Sequence, residues 1–450
     1  MSFDQEEAAR LRAWDAAYLW HPWTGKTAGD PLMIVRGDGV RVWDADGREY
    51  LDAKAASLNA SCGYSHPHIV AAITRQAATL MHFSIEAAAN PPAVGLAAKY
   101  ASLLPPALSR TFFCNSGSEA METVVKLTRM YHALRGEPGR RTILSLRDGY
   151  HGATLGAVTA TALTLTRAGN DPLPGAYAQV PTPICPSCRA AEAHDECSAP
   201  TAQTLRDAIE EIGPDNIAAF VMEPVLGVAG CLIPDPAYLV AAREICSEYG
   251  ILFVLDEVLT GFGRTGRMFG FEHAAVVPDI LMTSKGVTGG YAPLAAVTTT
   301  EDVYRTFADD SLMGGFRHGH TMSGHALACA ASLAVLEVIE GEDLVANSAR
   351  VGGLMLDELR RLLADEPRVF QVRGLGLALA VQMTDAGVAD ALAAACLELG
   401  LIVRTQGSAV CLMPPLTLTE TDALTMCSIV AEAARLTAQR NDRNVVEVVR

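Results

Sequence analysis

Nowhere does the chain hold a run of about 18 uninterrupted apolar residues, the length a membrane-crossing helix requires. Its richest stretch, Ala326 to Leu336, is broken by Ser332 and followed by Glu337, which predicts a buried helix instead. Positive charge is also scarce. With 35 Lys and Arg against 51 Asp and Glu, the formal net charge is −16. Such a surface repels nucleic acid and anionic membranes, so neither is an expected partner and small-molecule chemistry is. The N-terminus, MSFDQEEAARLRAWD, carries charges of both signs and no apolar core, so it reads as neither a signal nor a transit peptide and a cytoplasmic enzyme is expected. No internal repeat is present.

The eleven cysteines are an odd number scattered over a long chain, which fits reduced thiols, mostly in the core, better than a disulfide framework. Cys185, Cys188, His194 and Cys197 spell C-x2-C-x5-H-x2-C, a spacing that zinc can use. They lie in the excursion Pro181 to Pro200, and no metal is expected in the chemistry.

What the sequence does hold is apolar material: half of its 450 residues are hydrophobic, enough for two or three units around sizeable cores. Residues 1–60 mix short β signals, Leu32 to Val35 and Val40 to Trp43, with turns at Gly37, Gly39 and Asp46-Gly47, and predict a small antiparallel element. Over 61–325 apolar strands alternate with helical segments, the pattern of an α/β unit whose mostly parallel sheet is covered on both faces. The strands expected there are Thr142 to Leu146, Ile217 to Met222, Ile251 to Leu255, Ile280 to Thr283 and Leu294 to Thr298. Over 326–450 long Ala/Leu-rich helices alternate with strands such as Ala378 to Gln382 and Val410 to Met413, predicting a separate α+β unit.

Three segments carry chemistry. ILFVLDEV delivers Asp256 to the carboxyl end of a strand, where ligands of open α/β sheets sit. ILMTSKG delivers Lys285 to the end of the next, before the flexible run Gly286 to Gly290. A lysine at a sheet edge is ordinarily a solvated charge. Paired with an aspartate from a neighbouring strand, it can serve a cofactor that needs an amine for its aldehyde and an anion for its pyridine nitrogen. Third, Asn115-Ser116-Gly117-Ser118 opens a helix with apolar positions Ala120, Val124 and Leu127. Free amides and the positive helix end suit a phosphate there, although a plain N-cap would look the same. The segment GFGRTG also spells G-x-G-x-x-G, but RMFGF after it does not open a good helix, which argues against a dinucleotide site.

Together these segments resemble the class III aminotransferases of pyridoxal-phosphate fold type I. The matching stretches are NSGSEA (115–120), GYHG (149–152), EPV (223–225), DEVLTGFGRTG (256–266), SKGVTGG (284–290) and HTMSGH (320–325), in the family's order. The resemblance implies a large pyridoxal-phosphate domain over 61–325, with a seven-stranded type of sheet. A smaller α+β domain would be built from 1–60 and 326–450. It implies that Lys285 holds the cofactor aldehyde and moves protons, and that Asp256 pairs with the ring nitrogen. Gly117 and Ser118 would bind the phosphate, Tyr150 and Val258 the two ring faces, with His151 and Glu223 in support. It also implies a homodimer in which Thr321 reaches the neighbouring subunit's phosphate.

The resemblance implies, for substrates, an amine and a 2-oxo acid handled by Trp23, Leu58, Tyr150, Gly319 and Arg404. WHPWT (20–24) and LMPP (412–415) look like diaminopelargonic acid synthase, but that enzyme's paired tryptophans align with Ser57 and Leu58 here. Relatives acting on ornithine, acetylornithine or 4-aminobutyrate usually carry Gln where Leu259 stands, whereas GLIVR (400–404) resembles the carboxylate-gripping segment of ω-aminotransferases. An ω-aminotransferase working by a ping-pong mechanism is therefore expected. Epimerases, aminomutases and lyases of the same fold share the cofactor residues, and a non-catalytic binding protein is opposed by the presence of both Lys285 and Asp256.

Overall fold

Strands covered on both faces need continuous apolar sequence, and the computed structural model, which describes residues 4–24, 31–170, 173, 175–185 and 199–448, places such strands at its centre. Three strands precede them: β1 (Ile34–Asp38), β2 (Arg41–Asp44) and β3 (Glu49–Asp52), an antiparallel meander as expected. The central sheet follows with β4 (Leu108–Cys114), β5 (Thr142–Leu146), β6 (Tyr177–Val180), β7 (Ile217–Met222), β8 (Leu252–Asp256), β9 (Ile280–Thr283) and β10 (Ala295–Thr300). Its order is β4-β10-β9-β8-β7-β5-β6, parallel from β9 to β6, with β10 antiparallel to both of its neighbours.

The five strands anticipated for this sheet are present. The two not anticipated, β4 and β6, are its edges. Their sequences, LSRTFFC and YAQV, carry polar residues and are buried only in part, so no continuous apolar run marks them.

Alternate residues of the central strands feed two cores. Ala219, Val221, Val254 and Met282 meet Ala120, Met121, Val124 and Leu127 of the helix Gly117–Leu134. Phe220, Met222, Phe253, Leu255 and Leu281 enter the larger core on the other face. Helix Ala326–Gly341 belongs to that second core, buried along most of its length as its composition predicts.

The C-terminal part contributes β11 (Val369–Leu375), β12 (Ala378–Met383), β13 (Leu401–Ile402), β14 (Arg404–Gln406) and β15 (Ala409–Leu412). Four of them form an antiparallel sheet of order β11-β12-β15-β14. The fifth, β13, leaves it to pair in parallel with β3, so the first sheet is completed from the far end of the chain.

The nine cysteines among the described residues are all buried, Cys185 included. Cys188, His194 and Cys197 lie outside the described residues. Among those described, no helix is long and apolar enough to cross a membrane, and no group of metal-ligating side chains is assembled. GFGRTG forms turns rather than a helix start, as expected. Its Arg264 crosses to the C-terminal sheet region, donating to the carbonyls of Leu377 and Pro414 at 3.0 and 2.6 Å.

Candidate active site

The parallel register sets Asp256 opposite Met282, so Lys285, three residues beyond Met282, emerges at the same carboxyl edge of the sheet as Asp256. Lys285 opens a single 3-10 turn, Lys285–Thr288, with φ of +43°, a left-handed conformation costly for any residue with a side chain. Both line one cavity of about 180 Å³. Gly117, Ser118, Tyr150, His151, Glu223 and Val258 line it too, so the structure brings together the eight residues that sequence reasoning assigned to the cofactor within one chain.

The cavity is electrostatically graded. Asp256 is buried, accepting from His151 Nδ1 at 2.8 Å and from the Val258 amide at 3.0 Å. A carboxylate can only accept, so the imidazole proton sits on Nδ1. Burial by itself would lower the His151 pKa, but the hydrogen bond and charge of Asp256, with Glu223 nearby, raise it above its usual value. Glu223 accepts from the amides of Tyr150 (3.0 Å) and Gly227 (3.3 Å); burial, added to by the Asp256 charge, pushes its carboxyl up to about 7. Burial lowers the Lys285 pKa, opposed by the charges of Asp256 and Glu223 and assisted by those of Arg404 and Arg264. The lysine is thus shifted toward a neutral, nucleophilic amine.

At the other end stands the start of the helix Gly117–Leu134, capped by Ser116, whose hydroxyl accepts from the Glu119 amide at 3.2 Å. The capping reading of this turn is therefore correct for Ser116, while Gly117 and Ser118 remain turned to the cavity. Gly152 has φ of +127°, and a Cβ there would stand 2.5 Å from Ser118 Oγ; glycine alone lets the GYHG loop close over the helix start.

These residues fit pyridoxal phosphate. The first-turn amides and the Ser118 hydroxyl offer donors to a phosphate. A Cβ on Gly117 would lie 3.2 Å from a methyl of Val258, so an unsubstituted backbone keeps this cradle open. Buried His151 Nε2 has no partner among the described residues, and neither does the Lys285 amine.

Sequence reasoning did not single out Ser116, Gly152, Val228 and Ser284 as lining residues, and took Leu259 only as a departure from a family pattern. Asn115-Ser116 and Ser284 adjoin residues that it did choose, whereas Val228 sits in a loop with no chemical signature. Of the expected substrate set, Tyr150 lines the cavity. Leu58 is buried in a cluster with the cavity residue Leu259. Arg404 is half-buried with its charge felt by Tyr150 and Lys285. Trp23, Gly319 and Thr321 are exposed and lie outside the cavity of their own chain.

Comparison with known proteins gives these positions a context. The Aminotransferase class-III family matches residues 24–434. The chain is 34% identical over 448 residues to the adenosylmethionine-8-amino-7-oxononanoate aminotransferase of Nitratidesulfovibrio vulgaris, covering 94% of this chain and 81% of that one. It is 33% identical to the putrescine–pyruvate aminotransferase of Pseudomonas aeruginosa, covering 85% and 86%. Among solved structures, an amine transaminase from an uncultivated Pseudomonas species in its PLP-bound form aligns with a TM-score of 0.88 at 34% identity, covering 93% and 98%.

Proposed function

This chain belongs to the class III aminotransferases, pyridoxal-phosphate enzymes, and on that footing we propose that it moves an amino group from a terminal or other non-α amine to a 2-oxo acid such as pyruvate by a ping-pong mechanism. The observation that carries this reading is Arg404. Its guanidinium has neither an ion pair nor a hydrogen bond among the described residues, yet its charge acts on Tyr150 and Lys285. A half-buried cation without a counter-ion beside the site suits a carboxylate, which guanidinium can hold in two parallel hydrogen bonds. The rest of the wall toward Val228, Val258 and Leu259 is apolar. An amine without a carboxylate fits that wall without leaving a charge unpaired.

When bound, the cofactor supplies an aldehyde for the donor amine and a cationic ring that withdraws electrons. Lys285 would hold the cofactor through its Nζ, and as a free amine that Nζ would take up the proton lost by the substrate carbon and give it back. Asp256 would favour a protonated ring nitrogen, because a nearby anion stabilises the cationic form, and His151 orients Asp256. Tyr150 and Val258 would take the two ring faces.

The reading extends to a homodimer in which Thr321 completes the neighbouring chain's phosphate site. In support, Thr321 and Gly319 are exposed, in a stretch that also exposes Leu312, Met313 and Met322. A second reading, an 8-amino-7-oxononanoate aminotransferase, is favoured by the WHPWT segment and the identity to the N. vulgaris enzyme, and opposed by Ser57 and Leu58. A panel of amine donors against pyruvate and 2-oxoglutarate, followed through cofactor absorbance, tests the choice. Turnover of non-α amines with pyruvate is expected; turnover confined to α-amino acids, or to 8-amino-7-oxononanoate, would overturn the reading.

A further inference from the structure

Behind the apolar wall of the cavity two thiols share one buried cluster. Cys231 lies in the hairpin closed by the Leu226 and Leu232 bridge, the same hairpin that gives Val228 to the cavity. Cys411 lies on β15. The Cys231 thiol reaches the Leu379 carbonyl of β12 at 3.5 Å, and Leu379 and Ala380 pair with Leu412 and Cys411 across the β12–β15 ladder. The two cysteines thus share one buried cluster with Leu58, Leu259, Ala378 and Ala380. On its other side Cys411 is the direct cross-strand partner of Arg404, so their side chains leave the same face of the sheet.

We propose that Cys231 and Cys411 form a redox couple that hydrogen peroxide converts to a disulfide, fastening the Val228 hairpin to the strand beside Arg404. The chemistry balances without a further reagent. The Cys411 sulfur attacks the peroxide O–O bond, giving a sulfenic acid and, with the thiol proton, one water. The Cys231 sulfur then displaces the hydroxyl, forming the S–S bond and releasing a second water; the dithiol is oxidised by two electrons and the peroxide reduced by two.

Cys411 is the attacking member. Its neighbour Cys231 and the charges of Arg373 and Arg404 lower its pKa against the opposing effect of burial. Cys231 is correspondingly raised, by its neighbour Cys411 and by burial. The contrast with the other thiols is one of surroundings: burial pushes Cys62, Cys114, Cys246, Cys329, Cys396 and Cys427 up to about 12, where thiolate is negligible. Leu259 belongs both to the thiol cluster and to the cavity lining, so the pair lies one side-chain layer behind the cavity.

Closing the two thiols to a bond of about 2 Å draws the hairpin and β15 together. Cys231 already sits at φ of +54°, so the hairpin is held in a strained backbone that a change of bonding can move. The expected functional effect, which rests on the assignment of Arg404 to the oxo acid, is a loss in the oxo-acid half-reaction of about tenfold, the scale of one charge-assisted contact.

The test treats the cofactor-loaded enzyme with hydrogen peroxide, blocks remaining thiols, and maps disulfides by peptide mass spectrometry. A Cys231–Cys411 cross-linked peptide, lacking two hydrogen masses and released by dithiothreitol, is expected. Cys231→Ser and Cys411→Ser should each abolish it, and with it any dithiothreitol-reversible change in rate. Both thiols remaining free, pairing of other cysteines, or oxidation of Cys411 only to sulfinic acid would overturn the proposal. A mapped disulfide that leaves the oxo-acid half-reaction unchanged would instead overturn the role of Arg404, so the two failures are distinguishable.

Discussion

The carboxylate of Asp256 and the imidazole of His151 stand 2.8 Å apart, both buried, at the end of a strand whose neighbour delivers Lys285. The bond commits one carboxylate oxygen to the histidine while the other accepts the Val258 amide, so the acid is fixed rather than free to rotate. Asp256→Asn should keep the fold and lose at least about a hundredfold in kcat, because a neutral amide does not hold the proton on the ring nitrogen. Stopped-flow measurement of the amine half-reaction checks it; a near-normal rate would mean that another group holds that proton.

Lys285 is expected to be the covalent attachment point. Borohydride reduction of the holoenzyme followed by peptide mapping should place the cofactor on the peptide carrying Lys285. In Lys285→Ala the reducible link should be absent while cofactor still binds measurably through the helix start at Gly117 and Ser118. Label on any other lysine would defeat the assignment.

Arg404→Ala should slow the 2-oxo acid half-reaction by about ten- to a hundredfold, the scale of a charge-assisted bond of roughly 1.5–3 kcal/mol. An amine donor without a carboxylate should change far less. Single-turnover kinetics of the two halves separate this from general damage, for which the losses would be equal.

A pH effect follows from Glu257, which is buried and accepts from the amides of Gly270 (2.8 Å) and Phe271 (2.7 Å) and from the Thr260 hydroxyl. Burial raises its carboxyl from 4.5 to about 7, outweighing those donors. The folded state therefore holds a proton that the unfolded state releases between these values, so stability contributed by this group declines as pH rises from about 4.5 to about 7, by about 3 kcal/mol at most. Glu257→Gln should lower stability below that window, where it loses good acceptor geometry, but flatten the slope. Denaturant melts of the wild type and variant at pH 5 and pH 8 decide it; parallel slopes would refute the assignment.

Much of this was readable from residues because β7, β8 and β9 are apolar along their whole length and end in Glu223, Asp256 and Lys285, a change of character visible without coordinates. The edges β4 and β6 carry no such signature. Val228 escaped notice, and Gly152 entered only as the end of GYHG, for a related reason: their contribution is shape, an apolar contact and an absent side chain, and shape is fixed by what folds against them. The meander 34–52 was legible from its turns, but its fourth strand was not, since nothing in Leu401–Ile402 marks Leu51 as its partner.

That pairing has a consequence for how the chain comes into being. Leu51 and Leu401 are neighbours in space, and Arg48 nearby donates to the carbonyl of Glu398, 350 residues away along the chain. During synthesis the meander leaves the ribosome with one edge unpaired, and it stays so until the 350 residues that separate it from its partner have been made. At about 5–20 residues per second, that wait lasts tens of seconds. The central sheet, whose strands are all emitted in the interval, can form meanwhile. The last step is then a ring closure between the two extremities of the chain, and the exposed edge of β3 is the place where a nascent or truncated molecule would most readily find the wrong strand.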